Sequence, residues 1–375
     1  MENKIINLCK SFGIESEFIG FDVIHSGHIN STYLVYFDNN RNRKDYILQK
    51  INKYVFKKPE EVMENIMAVT SYISQKVSAC GESSESKTLN FYYSKNNKPF
   101  VIDEDGDYWR LCDYIHNTTG FDVTEDLDII EECGKGFGEF QCLLADFSAE
   151  KLNITIPHFH NTPNRYKIFK QSLELNASRR ASFVKDEIES YLALEELVSK
   201  MYHMQQSGEL KLKVTHNDTK CNNVLIDKNT KKFLCVIDLD TVMPGLLGND
   251  FGDAIRFVAN TSAEDEPDLS KVNIDFDKFT AFATGFVKML GTTLTKQEKD
   301  TLVLGAITMT VECGLRFLTD YIDGDKYFRV EYSEHNLVRA RCQLKLAKSM
   351  IENQEKLNQI INNICEAWVS FVILK

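Results

Sequence analysis

The sequence predicts an α+β fold in two lobes, a small antiparallel sheet lobe with helices over residues 1–115 and a larger, mostly helical lobe over residues 116–375. Three observations predict it. Short β-branched and aromatic runs, separated by turn residues, fill the first third of the chain. From about residue 121 onward apolar residues recur at helical spacing. Within that helical part, two strand-like runs at 223–226 and 233–237 flank a turn at 227–231.

The elements follow in order. The start, MENKIINLCKSFG, reads as a short amphipathic helix without the uninterrupted apolar stretch of a secretory signal. Strands are expected at 18–24, 32–37, 45–51, 88–94, 98–102 and 107–114, punctuated by Gly27, the polar run 38–43 and the loop 81–86. A helix over 59–77 opens with Pro59 in the first turn, and Glu60 and Glu61 follow near its positive end. Residues 125–147 carry Ile129, Ile130, Cys133, Phe137, Phe140, Leu143 and Leu144 at helical spacing. Further helices are expected at 164–177, 182–204, 275–290, 296–321 and 334–357, with an acidic surface excursion at 260–275.

Composition excludes several classes. The chain has 375 residues, 43% hydrophobic, with a net charge of −11 spread along its length. Nucleic-acid binding needs a basic footprint, which is missing. The longest C-terminal apolar run, AWVSFVIL, is too short to span a bilayer. Ten cysteines form no CxxC pair, and most stand in apolar runs as small hydrophobes of a reducing compartment. A cytoplasmic protein with no membrane and no nucleic-acid partner is the expectation.

The chemistry concentrates in His216-Asn217-Asp218-Thr219-Lys220-Cys221-Asn222-Asn223, followed by Val236-Ile237-Asp238-Leu239-Asp240. Asp and Asn favour irregular loops over regular helix. A hairpin of the two apolar runs would bring Asp238 near Asn223, and two oxygen ligands beside phosphates suit Mg²⁺. Asp218 would orient and deprotonate an alcohol, with Lys220 steadying the transferred phosphoryl group. The bland alternative is a polar turn followed by an ordinary strand end. Asp250-Phe251-Gly252 spells a metal-binding triplet, yet it stands 250 − 218 = 32 residues past Asp218, against 238 − 218 = 20 for Asp238. Asp250 is instead expected to cap a helix or brace the catalytic loop.

These motifs resemble the aminoglycoside phosphotransferase and choline kinase superfamily, whose fold is protein-kinase-like. The resemblance runs through nearly the whole chain. It rests on Gly27-His28-Ile29-Asn30-Ser31-Thr32-Tyr33, Tyr46-Ile47-Leu48-Gln49, Pro157-His158-Phe159-His160-Asn161-Thr162-Pro163, Val214–Lys220, Ile237–Gly245, Asp250–Asp253 and Glu312–Tyr321. Within the superfamily the chain is most similar to the N-acetylhexosamine 1-kinases. That resemblance implies ATP- and Mg²⁺-dependent phosphorylation of the anomeric hydroxyl of N-acetylglucosamine or N-acetylgalactosamine.

It also implies roles. Asp218 is the base, Lys220 neutralises charge, and Asn223 and Asp238 hold the metal; Asp240 either helps there or is hydrogen-bonded beneath. Gly27 and Asn30 stand where a loop would cover the phosphates, although a hairpin turn needs the same residues. Strand alternation gives Gln49 the place of the usual phosphate-anchoring lysine and turns Lys50 away, leaving Glu64 without its customary partner. Main-chain groups around Cys112 and Ile115 would read the adenine edge. His28, Arg316, Asp320 and Tyr321 are the sugar candidates. Arg316 lies in the apolar run CGLRFL, where an unpaired charge is costly, and Arg316 and Asp320 share a helix face. The alternatives are a kinase for homoserine, choline or an aminoglycoside, and a silent nucleotide-binding scaffold. Polycationic aminoglycosides call for an acidic acceptor site.

Overall fold

The computed structural model describes residues 1–25, 29–39, 42–83 and 87–373. Gly27 and His28 lie outside these described residues. Helix α1 (Glu2–Ser11) precedes β1 (Glu17–Ile24), β2 (Ser31–Asn39) and β3 (Asn42–Lys50). Then come α2 (Pro59–Ala79), β4 (Val101–Ile102) and β5 (Tyr108–Asp113). The strands form one antiparallel sheet in the order β1-β2-β3-β5-β4. Successive side chains of a strand face opposite ways. Tyr46 and Leu48 therefore join Ile5, Leu8 and Phe12 of α1 under one face. Ile47, between them, packs on the other side with the core that holds Val62, Met63 and Ile66 of α2. Pro59 is at the first turn of α2, with Glu60 and Glu61 beside it.

The strand expected at 88–94 is not formed. The segment meets β5 through an isolated bridge, Phe91 to Cys112, where the Tyr92 N–H donates to the Leu111 carbonyl at 2.9 Å. A turn closed by the Ser94 N–H on the Lys98 carbonyl, with Asn97 at φ 57°, then carries the chain away.

The helical body begins after β6 (Thr118–Thr119). It comprises α3 (Leu127–Leu143), α4 (Thr162–Leu175), α5 (Lys185–Ala193) and α6 (Glu195–Gln206). After the short strands β7 (Lys213–Thr215), β8 (Val224–Asp227), β9 (Phe233–Val236) and β10 (Met243–Gly245) come α7 (Leu247–Val258), α8 (Phe276–Leu290), α9 (Lys296–Asp323), α10 (His335–Glu352) and α11 (Gln354–Ile373). The helix expected over 182–204 is two helices. The second restarts with Glu195 and Glu196, acids that suit the positive end of a new helix. The helix expected over 334–357 likewise breaks at Asn353. The acidic excursion is tied to the body, since Glu264 pairs with Arg256 at 2.8 Å and Asp265 faces His335 at 3.1 Å.

Two features of the body position the site. Helices α3 and α8 touch backbone to backbone: a methyl group on Gly134 would lie 2.2 Å from the Phe282 carbonyl oxygen, and one on Gly285 2.1 Å from that of Glu131. Helix α9 is long and apolar enough to cross a membrane, but 89% of its most apolar stretch is buried inside the protein. Its composition is that of a core helix.

Candidate active site

The catalytic loop leaves β7 and closes on β8. Strands β8 and β9 form the expected hairpin, with Val224 opposite Val236 and the Ile237 N–H donating to the Asn223 carbonyl at 2.8 Å. Asn223 and Asp238 thereby stand at the same end of the hairpin. The Asn223 side-chain amide donates to the Asp218 carbonyl at 2.9 Å and to its carboxylate at 3.3 Å. Lys220 Nζ lies 3.1 Å from the other Asp218 oxygen. Burial works against the Lys220 charge, but Asp218 and Asp253 outweigh it and hold the ammonium above its ordinary value. The structure thus gathers Asp218, Lys220, Asn223 and Asp238 in one place.

His216 fixes the loop from below. Its Nε2 is 2.9 Å from the Ile237 carbonyl, and its Nδ1 accepts the Asp218 N–H at 3.2 Å. A carbonyl needs a donor and an N–H needs an acceptor, so the ring is the neutral Nε2–H tautomer. Phe137 of α3 packs edge-on against it. Asn217 takes a left-handed conformation (φ 64°) that asparagine tolerates better than most residues.

Asp250 serves as a brace. Buried on α7, it accepts the His216 N–H and the Asn217 N–H, each at 2.8 Å, and the Gln141 amide at 2.7 Å. Leu246 holds the N-cap position of that helix, so Asp250 does not cap it. Asp253, one turn on, accepts the Thr219 N–H at 2.9 Å and pairs with Arg256. Two consecutive turns of one helix therefore hold the loop by its main chain.

Asp238 is at φ 59°, ψ 56°, and its side chain caps nothing. It stays open to water, yet surrounding protein, and after it Asp240 and Asp218, push its carboxyl up to about 6. A crowded carboxylate beside a second one and an amide oxygen is a donor set for a hard cation. Asn223 and Asp238 would hold Mg²⁺ here.

Asp240 is buried and committed. It takes an ion pair from Arg110 of β5 and a hydrogen bond at 2.5 Å from Asn30. Arg110 Nε also donates to the Gln49 side-chain oxygen Oε1 at 3.0 Å, and the Gln49 Nε2 donates to the Thr32 hydroxyl at 3.0 Å. Lys50, facing the other way, pairs with Asp107 at 3.3 Å. Glu64 is exposed and, among the described residues, receives the Asn153 amide at 2.9 Å and no cation. Of the main-chain candidates, Cys112 lies within the sheet, paired with Ile47 and bridged to Phe91. Ile115 lies just past β5, its carbonyl accepting the Thr118 hydroxyl.

At the other end, Arg316 of α9 is half-buried, its guanidinium 5.8 Å from the Tyr327 ring and 5.3 Å from that of Phe328. Although Arg316 and Asp320 stand four residues apart on α9, no ion pair joins them among the described residues. Asp320 accepts the N–H groups of Lys326, Tyr327 and Phe328 and the Asn336 amide, which uses both its oxygens. Asp320 shapes the loop that carries those two rings and has no lone pair to spare for a sugar. Tyr321 is buried on a different face of α9, under Arg180, 4.7 Å from its ring. The sequence reading passed over Arg165. Its guanidinium is held below its usual value first by burial and then by Arg316. His160, 3.0 Å from buried Glu312, stands nearby with Nε2 unpartnered.

An antiparallel sheet over a helical body, with Asp218, Asn223 and Asp238 gathered on one loop and hairpin, is the arrangement expected of a kinase-like phosphotransferase. The profile described as the phosphotransferase enzyme family matches residues 21–278, and the chain belongs to that family. Solved structures share the fold. The choline kinase of Cryptosporidium parvum Iowa II is 14% identical, with a TM-score of 0.57 over 97% of this chain and 99% of its own. An aminoglycoside phosphotransferase of Alicyclobacillus acidocaldarius is 11% identical, with a TM-score of 0.56 over 96% of each chain. A spectinomycin phosphotransferase in complex with ADP and spectinomycin is 14% identical, with a TM-score of 0.53 over 94% of this chain and 98% of its own.

Proposed function

We propose that this protein transfers the γ-phosphoryl group of ATP, with Mg²⁺, to the anomeric hydroxyl of an N-acetylhexosamine, in the cytoplasm. The observation that carries the acceptor reading is the charge of the far end of the site. Arg316 and Arg165 stand there together, with Lys220 beside the base. Like-charged guanidiniums repel a polycationic aminoglycoside or a choline headgroup and suit a neutral, oxygen-rich acceptor. Tyr327 and Phe328 offer the flat apolar surface that a pyranose and its acetyl group would bury.

Residues 1–115 would carry the nucleotide, and residues 116–375 the catalytic loop and acceptor. Asp218 takes the proton of the sugar hydroxyl, the freed oxygen bonds to the γ-phosphorus, and the bond from that phosphorus to the ADP oxygen breaks. Lys220 neutralises charge on the moving group. Mg²⁺, when bound, would offset the charge on the β- and γ-phosphates.

The deciding experiment is an ATP-consumption screen over free sugars, amino alcohols and aminoglycosides, with NMR of the product to locate the phosphate. A sugar 1-phosphate from N-acetylglucosamine or N-acetylgalactosamine is expected; turnover confined to choline, homoserine or an aminoglycoside overturns the reading.

Two further outcomes are expected. Arg316→Ala should raise the acceptor KM by about 10-fold or more while the ATP KM moves little, the loss of one charged hydrogen-bonding group being worth that much. Initial rates over both substrate concentrations measure it, and equal shifts count against an acceptor role. The second concerns pH. A carboxyl at about 6 in the folded protein is raised above its unfolded value. Its protonation therefore favours the folded state as pH falls through 6 towards 4, and its ionisation above 6 opposes folding. Metal binding runs the other way, because Mg²⁺ needs the carboxylate. Mg²⁺-dependent ADP binding, followed by calorimetry, should weaken by up to about tenfold per pH unit below 6.

A further inference from the structure

A nucleotide site needs a cation for the α- and β-phosphates, and strand β3 presents none. Gln49 is neutral, and Lys50 points to Asp107. A positive charge stands one strand over, hydrogen-bonded to Gln49 itself. Arg110 pairs directly with Gln49 in the sheet register and reaches across to Asp240 beneath the metal ligands. Asn30, from the loop expected to cover the phosphates, ends on the same carboxylate at 2.5 Å. The Asn52 N–H in turn holds the Asn30 side-chain oxygen at 3.0 Å. Guanidinium, two amides and a carboxylate thus converge where the sheet meets the hairpin. Arg110 Nε is spent on Gln49, while Nη2 donates no hydrogen bond among the described residues and is not among the buried unpartnered atoms.

We infer that Arg110 is the phosphate-anchoring cation of this site, replacing the strand lysine that Gln49 has displaced, with Asp240 holding its guanidinium in place before nucleotide arrives. This rests on the nucleotide reading above. An arginine buried to 2% exposure in the apolar run YWRLCD needs a partner at all times. Asp240 supplies it, and the fork geometry of guanidinium lets one edge stay on Asp240 while another meets phosphate oxygens. Glu64 is free to be exposed because the anchoring cation no longer comes from β3.

The test uses Mg·ADP titrated calorimetrically into the full chain. Parent protein that fails to bind Mg·ADP sinks the nucleotide reading itself. If the parent binds, Arg110→Met combined with Asp240→Asn removes both partners, leaves the net charge unchanged and strands neither charge. This double variant should lose about 10-fold or more in Mg·ADP affinity, a charge-assisted contact being worth that much, with acceptor KM unmoved. Adding Gln49→Lys should restore most of the loss by moving the cation back to β3. Binding within about twofold of the parent, or no recovery with Gln49→Lys, overturns the assignment. If the double variant does not fold, Arg110→Lys decides the matter. A lysine cannot hold Asp240 and phosphate at once as the fork does, so a folded Arg110→Lys protein should bind Mg·ADP more than about threefold weaker than the parent with acceptor KM unmoved, and binding within about threefold overturns the inference.

Discussion

Asp218→Asn should lower kcat by about 10²–10⁴-fold, the usual contribution of a general base, with Mg·ATP affinity almost unchanged. The change is nearly isosteric and spares the main-chain bond from Asn223 to the Asp218 carbonyl at 2.9 Å. Lys220 loses one carboxylate partner but keeps Asp253 within electrostatic reach. What disappears is the capacity to accept the acceptor's proton, and an amide nitrogen cannot replace it. Single-turnover measurements at saturating substrates, paired with ADP titrations, separate the two effects. Near-parental turnover would remove Asp218 as the base.

The second large effect separates the proposed metal ligand, Asp238, from its look-alike, Asp250. Asp238→Asn keeps a side chain that tolerates φ 59° but removes the charge, and Mg²⁺-dependent nucleotide binding should be lost within the measurable range. Asp250→Asn should act on stability instead. Of the two carboxylate oxygens that now receive three donors, one becomes an NH₂ group that opposes at least one of them. Hydrogen bonds to a buried charged group contribute about 1.5–3 kcal/mol each, so thermal unfolding should shift downward by several degrees or more, together with loss of activity. Metal affinity surviving Asp238→Asn and vanishing in a well-folded Asp250→Asn protein would reverse the two assignments.

How far the site was legible depended on whether its parts were neighbours in sequence. Asp218, Lys220 and Asn223 occupy six consecutive positions, and a four-residue strand pairing carries Asp238 back to them, so local pattern sufficed. The helix face of 125–147 was visible because Ile129, Cys133 and Phe137 repeat at helical spacing; that α3 would press its backbone on α8 was not, because that depends on Gly134 and Gly285, 285 − 134 = 151 residues apart, matching in space. The sequence reading weighed the cost of a charge in an apolar run for Arg316 but not for Arg110, to which it applies more strongly. Arg110 is the more buried of the two, and its partner Asp240 stands 130 residues away. Asp320 misled for a different reason. The sequence makes it a sugar candidate sharing a helix face with Arg316, whereas its carboxylate is taken by the N–H groups of 326–328, which lie beyond the end of the helix where spacing along α9 says nothing. The strand expected at 88–94 failed because β-rich composition does not supply a neighbour to pair with along its whole length.

The loop pinned by Asp320 has an evolutionary consequence. Tyr327 and Phe328 are held through their main-chain N–H groups, which every residue except proline possesses, so their side chains can be exchanged without releasing the anchor. The catalytic loop is fastened by Asp250 and Asp253 on another helix altogether. If those two rings line the acceptor as proposed, a change of acceptor needs exchange at only two positions and leaves the fastening of the Asp218 loop untouched.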